Sequence, residues 1–191
     1  TVSNAYMQEL SNNSNGLEGL FQNETQKSRG IINGIDTNVW DPETDPMIAH
    51  AYSREKMAAG KRKNKKVLCE HFGLDPQYPT ISFIGRLVRE KGADLLPDLF
   101  QTYLESTQSV NFIVLGTGDH ALHHQFEEMS SRFVGYFDAT LDYNEPLAHQ
   151  IYAGSDFMIM PSRVEPCGLN QMYAMRYGTL PIVRSVGGLK D

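Results

Sequence analysis

No apolar run in this 191-residue sequence approaches the roughly 20 residues needed to span a bilayer, and its start lacks the pattern of a signal peptide. Cysteine is scarce too. Cys69 and Cys167 show neither metal-ligand spacing nor a disulfide framework, which favours a reducing, cytoplasmic setting. Positive charge is in deficit: 17 Lys and Arg against 23 Asp and Glu leave a formal net charge of −6. That argues against a general nucleic-acid binder, whose phosphate contacts need a basic surface. No two aspartates lie two residues apart, so a diphosphate bound here would rely on Arg and Lys rather than a divalent metal. The chain begins at Thr1 without an initiator Met and stops at Asp191 just after Gly-Gly, so a piece of a larger protein is expected.

What is present is ordinary for a globular domain: 40% hydrophobic and 21% charged residues, with length for one real core and part of a second. Residues 1–30 read as the tail of a preceding domain, with a strand-like start at 1–3 and a brief helix at 5–10. Residues 30–36 read as an extended segment turning at Asn33-Gly34, so the second domain is placed at 31–191. A helix is predicted over 53–72 with Gly73 as its C-cap, and the basic cluster Lys61, Arg62, Lys63, Lys65 and Lys66 reads as its solvated face.

From Pro79 onward strand and helix alternate five times. Residues 81–84, 112–115, 133–137, 157–160 and 180–183 are short apolar runs with turn residues around them. Between them, Leu96, Leu99, Phe100, Tyr103 and Leu104, then 121–130, 144–154 and 169–177, read as helix. The fold expected is α/β, a parallel sheet covered by helices on both faces. Right-handed crossovers would bring the loops at Arg86, Gly116, Tyr143, Glu165 and Gly187 to one edge and a common cleft.

The chemistry at that edge is mixed. Arg86 and, five residues later, Lys91 can hold a diphosphate, or can pair at the surface with Glu90 or Asp94; their shared position favours the diphosphate. Gly116-Thr117-Gly118 lets the backbone approach a ligand, although G-x-G alone is a weak dinucleotide signal. In the loop 161–171, Pro166 and Gly168 shape a turn whose following N–H groups offer a phosphate seat, while Cys167 reads as a small buried residue. Glu165 would be repelled by a phosphate and suits neutral sugar hydroxyls instead. Tyr143 can stack on a base or fill the core, and position alone favours the core. His120, His123 and His124 read as surface residues rather than a metal site.

With Gly85-Arg86-Leu87, Lys91-Gly92 and Pro161-Ser162-Arg163 leading to Glu165-Pro166-Cys167-Gly168-Leu169, the chain resembles the bacterial glycogen synthase and starch synthase family of retaining glucosyltransferases. Thr1-Val2-Ser3, Asn33-Gly34-Ile35-Asp36 with Trp40, Tyr177-Gly178-Thr179-Leu180-Pro181 and Gly187-Gly188-Leu189 extend the likeness almost end to end. The resemblance implies a GT-B architecture of two Rossmann-like domains, of which this chain is the end of the first and most of the second. It implies that Arg86 and Lys91 hold the phosphates of ADP-glucose and that Glu165 contacts glucose, making these three the catalytic set. It places Gly116, Cys167, Gly168, Leu169 and Asn170 at the nucleotide sugar, and Tyr143 on adenine. The implied reaction extends an α-1,4-glucan at its non-reducing end with retention, using no cofactor beyond ADP-glucose, no metal and no membrane. Tyr173 stands where broader retaining enzymes often carry a second Glu, which favours a glycogen or starch synthase. The alternatives are a UDP-glucose enzyme or a non-catalytic nucleotide- or glucan-binding module. Alone, the chain is expected to be inactive.

Overall fold

A computed structural model describes residues 1–191. Five parallel strands, β1 (Thr80–Ile84), β2 (Asn111–Leu115), β3 (Phe137–Thr140), β4 (Phe157–Met160) and β5 (Leu180–Val183), form one sheet in the order β3-β2-β1-β4-β5. Every pairing is parallel, from Thr80 opposite Asn111 to Phe157 opposite Leu180. Strand order reverses between β1 and β4, so the loops that follow them leave in opposite directions and open a crevice. The architecture is α/β and Rossmann-like, as the alternation predicts.

Alternation along the central strands decides which helices cover which face. On β2, Phe112 and Val114 join Phe83 in one apolar layer with Leu96, Phe100, Leu104, Leu122, Phe126 and Met129. These belong to α4 (Leu96–Ser106) and α5 (His120–Arg132). Ile113 and Leu115 point the other way and join Met158 and Met160 beneath α3 (Met57–Phe72), α6 (Glu145–Gly154) and α7 (Asn170–Arg176). Helix starts follow their caps: Asp119 accepts the N–H groups of Ala121 and Leu122 on α5, and Asn144 accepts that of Leu147 on α6. Gly73 closes α3 in the left-handed region at φ 65°, as its C-cap reading requires.

Several expectations shift. The third strand begins at Phe137, and residues 133–136 form a turn in which Phe137 N–H bonds Phe133 carbonyl at 3.1 Å. Phe133 and Phe137 lie in the same apolar layer, so their shared burial had the look of one strand. β5 is an edge with Leu180, Ile182 and Val183 exposed, not a strand buried on both faces. Residues 1–3 and 30–36 form no strand, although Thr1 bonds backbone groups of Arg29 and Ile31. The N-terminal helices are α1 (Asn4–Leu10) and the short α2 (Glu18–Asn23).

The basic cluster is only partly a solvated face. Lys61 donates to Thr179 Oγ1 at 2.7 Å and to the carbonyls of Ala153 and Tyr177, tying α3 to the ends of α6 and α7. Burial pushes its ammonium down to about 8, against the pull of Asp156. Lys65 pairs with Asp156 at 2.7 Å.

Candidate active site

The two loops at the reversal of strand order are knitted together. Arg163 and Val164 N–H both donate to the Glu90 carbonyl, at 2.7 and 3.2 Å, and Arg163 forks onto the Asp94 carboxylate. Gly92, at φ 69°, lies so close to the other loop that a Cβ there would sit 2.3 Å from the Pro161 carbonyl oxygen. This stitching sets Lys91 opposite Glu165. The Lys91 ammonium lies 2.6 Å from Glu165 Oε2, which also accepts Ser162 Oγ–H at 3.1 Å. Glu165 is 5% exposed, so its charge is answered inside the protein. Neither Arg86 nor Lys91 makes the surface pairing with Glu90 or Asp94 that would have explained them away; Arg86 is exposed and forms no ion pair.

Two cavities open at this edge and share Ile84, Gly85 and Asn170 as a wall. The smaller, about 170 Å³, is bordered by Lys91, Ser162, Glu165, Gly168 and Leu169. The larger, about 480 Å³, is bordered by Arg86, Gly116, Tyr143, Trp40, Tyr152 and Tyr173. A cationic, carboxylate-bearing chamber thus adjoins an aromatic one. Residues 78–191 match the model of the family described as glycosyl transferases group 1. The chain belongs to that family.

This glycosyltransferase chain is 53% identical, over its whole length, to a glycogen synthase of Flavobacterium johnsoniae, of which it covers 41%. It is 45% identical to a glycogen synthase of Cellvibrio japonicus, again over its whole length and over 40% of that protein. It therefore spans about two-fifths of the length of the curated relatives it matches. Among solved structures, the catalytic domain of starch synthase IV from Arabidopsis thaliana, bound to ADP and acarbose, matches all of this chain. The TM-score is 0.92 at 38% identity, and 40% of that chain is covered. Anabaena HepE in complex with UDP-glucose shares the fold, with a TM-score of 0.63 at 17% identity over 91% of this chain and 43% of that one.

Not every residue singled out in the glycosyltransferase sequence reaches a cavity. Tyr143 does, but from the rim: it is 78% exposed, which overturns the preference for the core, and its hydroxyl lies 3.3 Å from Glu145 Oε2. Cys167 is buried and borders neither cavity; a Cβ on Gly188 would lie 2.4 Å from its Cα. Gly187 borders neither cavity, so its loop stands behind Glu165 rather than facing the cleft. Gly116 borders the larger cavity, yet the space its missing Cβ leaves is taken by protein: a Cβ would lie 1.8 Å from the Gly85 carbonyl oxygen. Asn170 donates to the Ile84 carbonyl at 2.7 Å, fastening the start of α7 to the end of β1. Of the histidines, His123 Nε2 accepts the Gly118 N–H at 3.1 Å, and no three His, Cys, Asp or Glu are grouped as a metal would need.

The aromatic wall is what sequence reasoning missed. Trp40 is stacked between His149 and Tyr173, with centroids 3.8 Å away on each side. Beneath it a single buried oxygen, Asp45 Oδ2, accepts His149 Nδ1–H at 2.7 Å and the Tyr177 hydroxyl. Burial and Asp45 push the Tyr177 phenol well above its ordinary range, so it remains a donor. Trp40 and Asp45 come from the segment before α3, over a hundred residues away in sequence from His149. The lone tryptophan beside Asp41-Pro42 was the only local signal.

Proposed function

We propose that the full-length protein containing this chain is a glycogen or starch synthase. It transfers glucose from ADP-glucose to the non-reducing end of an α-1,4-glucan, with retention of configuration. The observation that carries this reading is the contact between partly buried Lys91 and buried Glu165. A nucleoside diphosphate sugar presents negative phosphates on one side of the bond to be broken and neutral hydroxyls on the other. A carboxylate belongs beside the hydroxyls, but next to a diphosphate it would be repelled unless a cation stood between them. Lys91 stands there. Relatives named glycogen synthase along the whole chain, and the ADP and acarbose bound to the Arabidopsis enzyme, support the choice of nucleotide and glucan.

The geometry supports the following roles. Arg86, exposed and without an ion-pair partner, grips the diphosphate through its planar fork, and Lys91 adds a point charge. Together they stabilise the negative charge that develops as the diphosphate leaves. Glu165 Oε2 is occupied by Lys91 and Ser162, which leaves Oε1 to accept glucose hydroxyls. Gly168, Leu169 and Asn170 border the smaller cavity and are assigned to the sugar and distal phosphate; Gly116 and Tyr143 border the larger, where Tyr143 is assigned to adenine. Cys167 contributes no more than backbone. Residues 1–30 then close the N-terminal domain of a GT-B enzyme, and 31–191 supply most of its nucleotide-sugar half. The setting is cytoplasmic, supported by two cysteines that are both free and buried. No helix is long and apolar enough to cross a membrane.

The test is label transfer to glycogen by the full-length protein, with ADP-glucose and UDP-glucose compared side by side. A preference of at least about tenfold for ADP-glucose is expected, equivalent to ~1.4 kcal/mol. Equal or faster transfer from UDP-glucose would reassign the donor. Transfer from neither would reduce the protein to a binding module.

A further inference from the structure

The N-terminal helix reaches the catalytic loop from behind. Glu9, near the end of α1, accepts the Gly187 N–H on Oε1 at 2.8 Å and lies 3.3 Å from Lys190 Nζ. At the other end of α1, the Asp191 carboxylate accepts the N–H groups of Asn4, at 2.7 Å, and Ala5. Helix α1 and the turn at 187–191 thus hold each other at two points across more than 170 residues of sequence.

The turn they hold is in direct contact with Glu165. Gly188 N–H donates to the Glu165 carbonyl at 2.9 Å. Gly187, at φ 44°, has no room for a side chain: a Cβ would lie 2.0 Å from that same carbonyl oxygen and 3.7 Å from Glu9 Oε2. Only a glycine fits between α1 and the loop. On its opposite flank the loop is fixed through Arg163 and Val164 to Glu90, the neighbour of Lys91. Release on the α1 side would leave the Glu165 main chain held from one side only.

We infer that α1 is a latch that positions Glu165 through the Gly187-Gly188 turn, with Glu9 as the positioning residue. The inference rests on reading Glu165 as the sugar-facing carboxylate. Glu9 touches neither cavity. It acts through backbone, so its loss should impair the step that needs Glu165 while sparing the binding of a nucleotide that carries no sugar.

The experiment uses the full-length protein. Glu9→Ala should lower kcat for transfer from ADP-glucose about tenfold to hundredfold, because displacing a catalytic group by a fraction of an ångström to 1 Å costs on that order. The Kd for ADP alone should stay within about twofold, well under the tenfold that ~1.4 kcal/mol would produce. Glu9→Gln keeps an oxygen for the Gly187 N–H and should recover most of kcat. Lys190→Met removes only the ion pair and should leave kcat unchanged. Asp191→Ala, a milder loosening of the same helix, should show a smaller fall in kcat with the same unchanged ADP affinity. An unchanged kcat in Glu9→Ala would overturn the latch, as would an equal loss of ADP affinity, or a Gln variant no better than Ala. A second readout does not depend on activity: amide exchange at Gly188 and at residues 163–165 should rise in Glu9→Ala. Unaltered exchange there overturns the latch by itself. If the wild-type protein transfers no glucose while that exchange does rise, the assignment of Glu165 fails and the latch stands.

Discussion

The two cavities are built by different physics. The smaller is an ionic construction: backbone stitches join the loops after β1 and β4, and Lys91 neutralises Glu165 at 2.6 Å. The larger is an aromatic construction, a stack of His149, Trp40 and Tyr173 resting on a buried carboxylate. Ionic geometry fixes direction, which a site needs where charge moves. Aromatic surface holds a flat, weakly polar ring with little directional demand, which suits a nucleobase. Under the proposed function the smaller chamber takes the glucose end of the substrate and the larger its nucleobase, with Arg86 gripping the diphosphate from the wall of the larger.

Breaking the ionic chamber should have the largest effect. Lys91→Met leaves a buried carboxylate without its cation, at an expected cost of about 3 kcal/mol in urea unfolding and the loss of glucose transfer. Adding Glu165→Gln to that variant should recover much of the stability and none of the activity, since the pair is coupled. An equal stability loss in the double variant would contradict the burial argument.

Breaking the aromatic chamber should act on binding rather than chemistry. Trp40→Ala, in a half-buried stack, is expected to cost about 2 kcal/mol of stability, below the fully buried range. It should weaken ADP while leaving the ratio of ADP-glucose to ADP affinity unchanged. A changed ratio would mean that the two chambers are not separate.

Lys61 belongs to neither chamber and serves as a control. Its folded value of about 8 lies below the ordinary 10.5, so between these the folded chain binds fewer protons than the unfolded one. Its contribution therefore rises with pH from about 8 to about 10.5, and the stability of wild type relative to Lys61→Met should rise by about 1 kcal/mol by pH 9. A flat difference over that window would show that Lys61 is not desolvated. Smallest of all, Tyr143→Ala should shift stability by less than about 0.5 kcal/mol, because the ring is exposed. It should still weaken ADP severalfold; a large loss of stability would return Tyr143 to the core.

The contrast also explains what could be read in advance. Strands β1, β2, β4 and β5 were legible because each is a short apolar run with turn residues around it, and the loops they feed carry Arg86, Lys91 and Glu165 close to strand ends. β3 was misplaced because Phe133 and Phe137, one turn apart, share a layer. Glu165 was legible as an unusual carboxylate, but its cation was not, since Lys91 meets it only through pairing of β1 with β4. The aromatic stack was invisible for the same reason in stronger form: Trp40, His149 and Tyr173 share no local pattern and meet only in the folded chain.

Glu165 is read as facing the sugar with Lys91 screening it from the phosphates, and calorimetry on the full-length protein carrying Glu165→Gln probes that division of charge most directly. With its negative charge gone, Lys91 is left wholly for phosphate, so ADP should bind as tightly as to wild type or more so, while the added affinity of ADP-glucose over ADP disappears. Weakened ADP binding with that sugar-dependent advantage intact would contradict it.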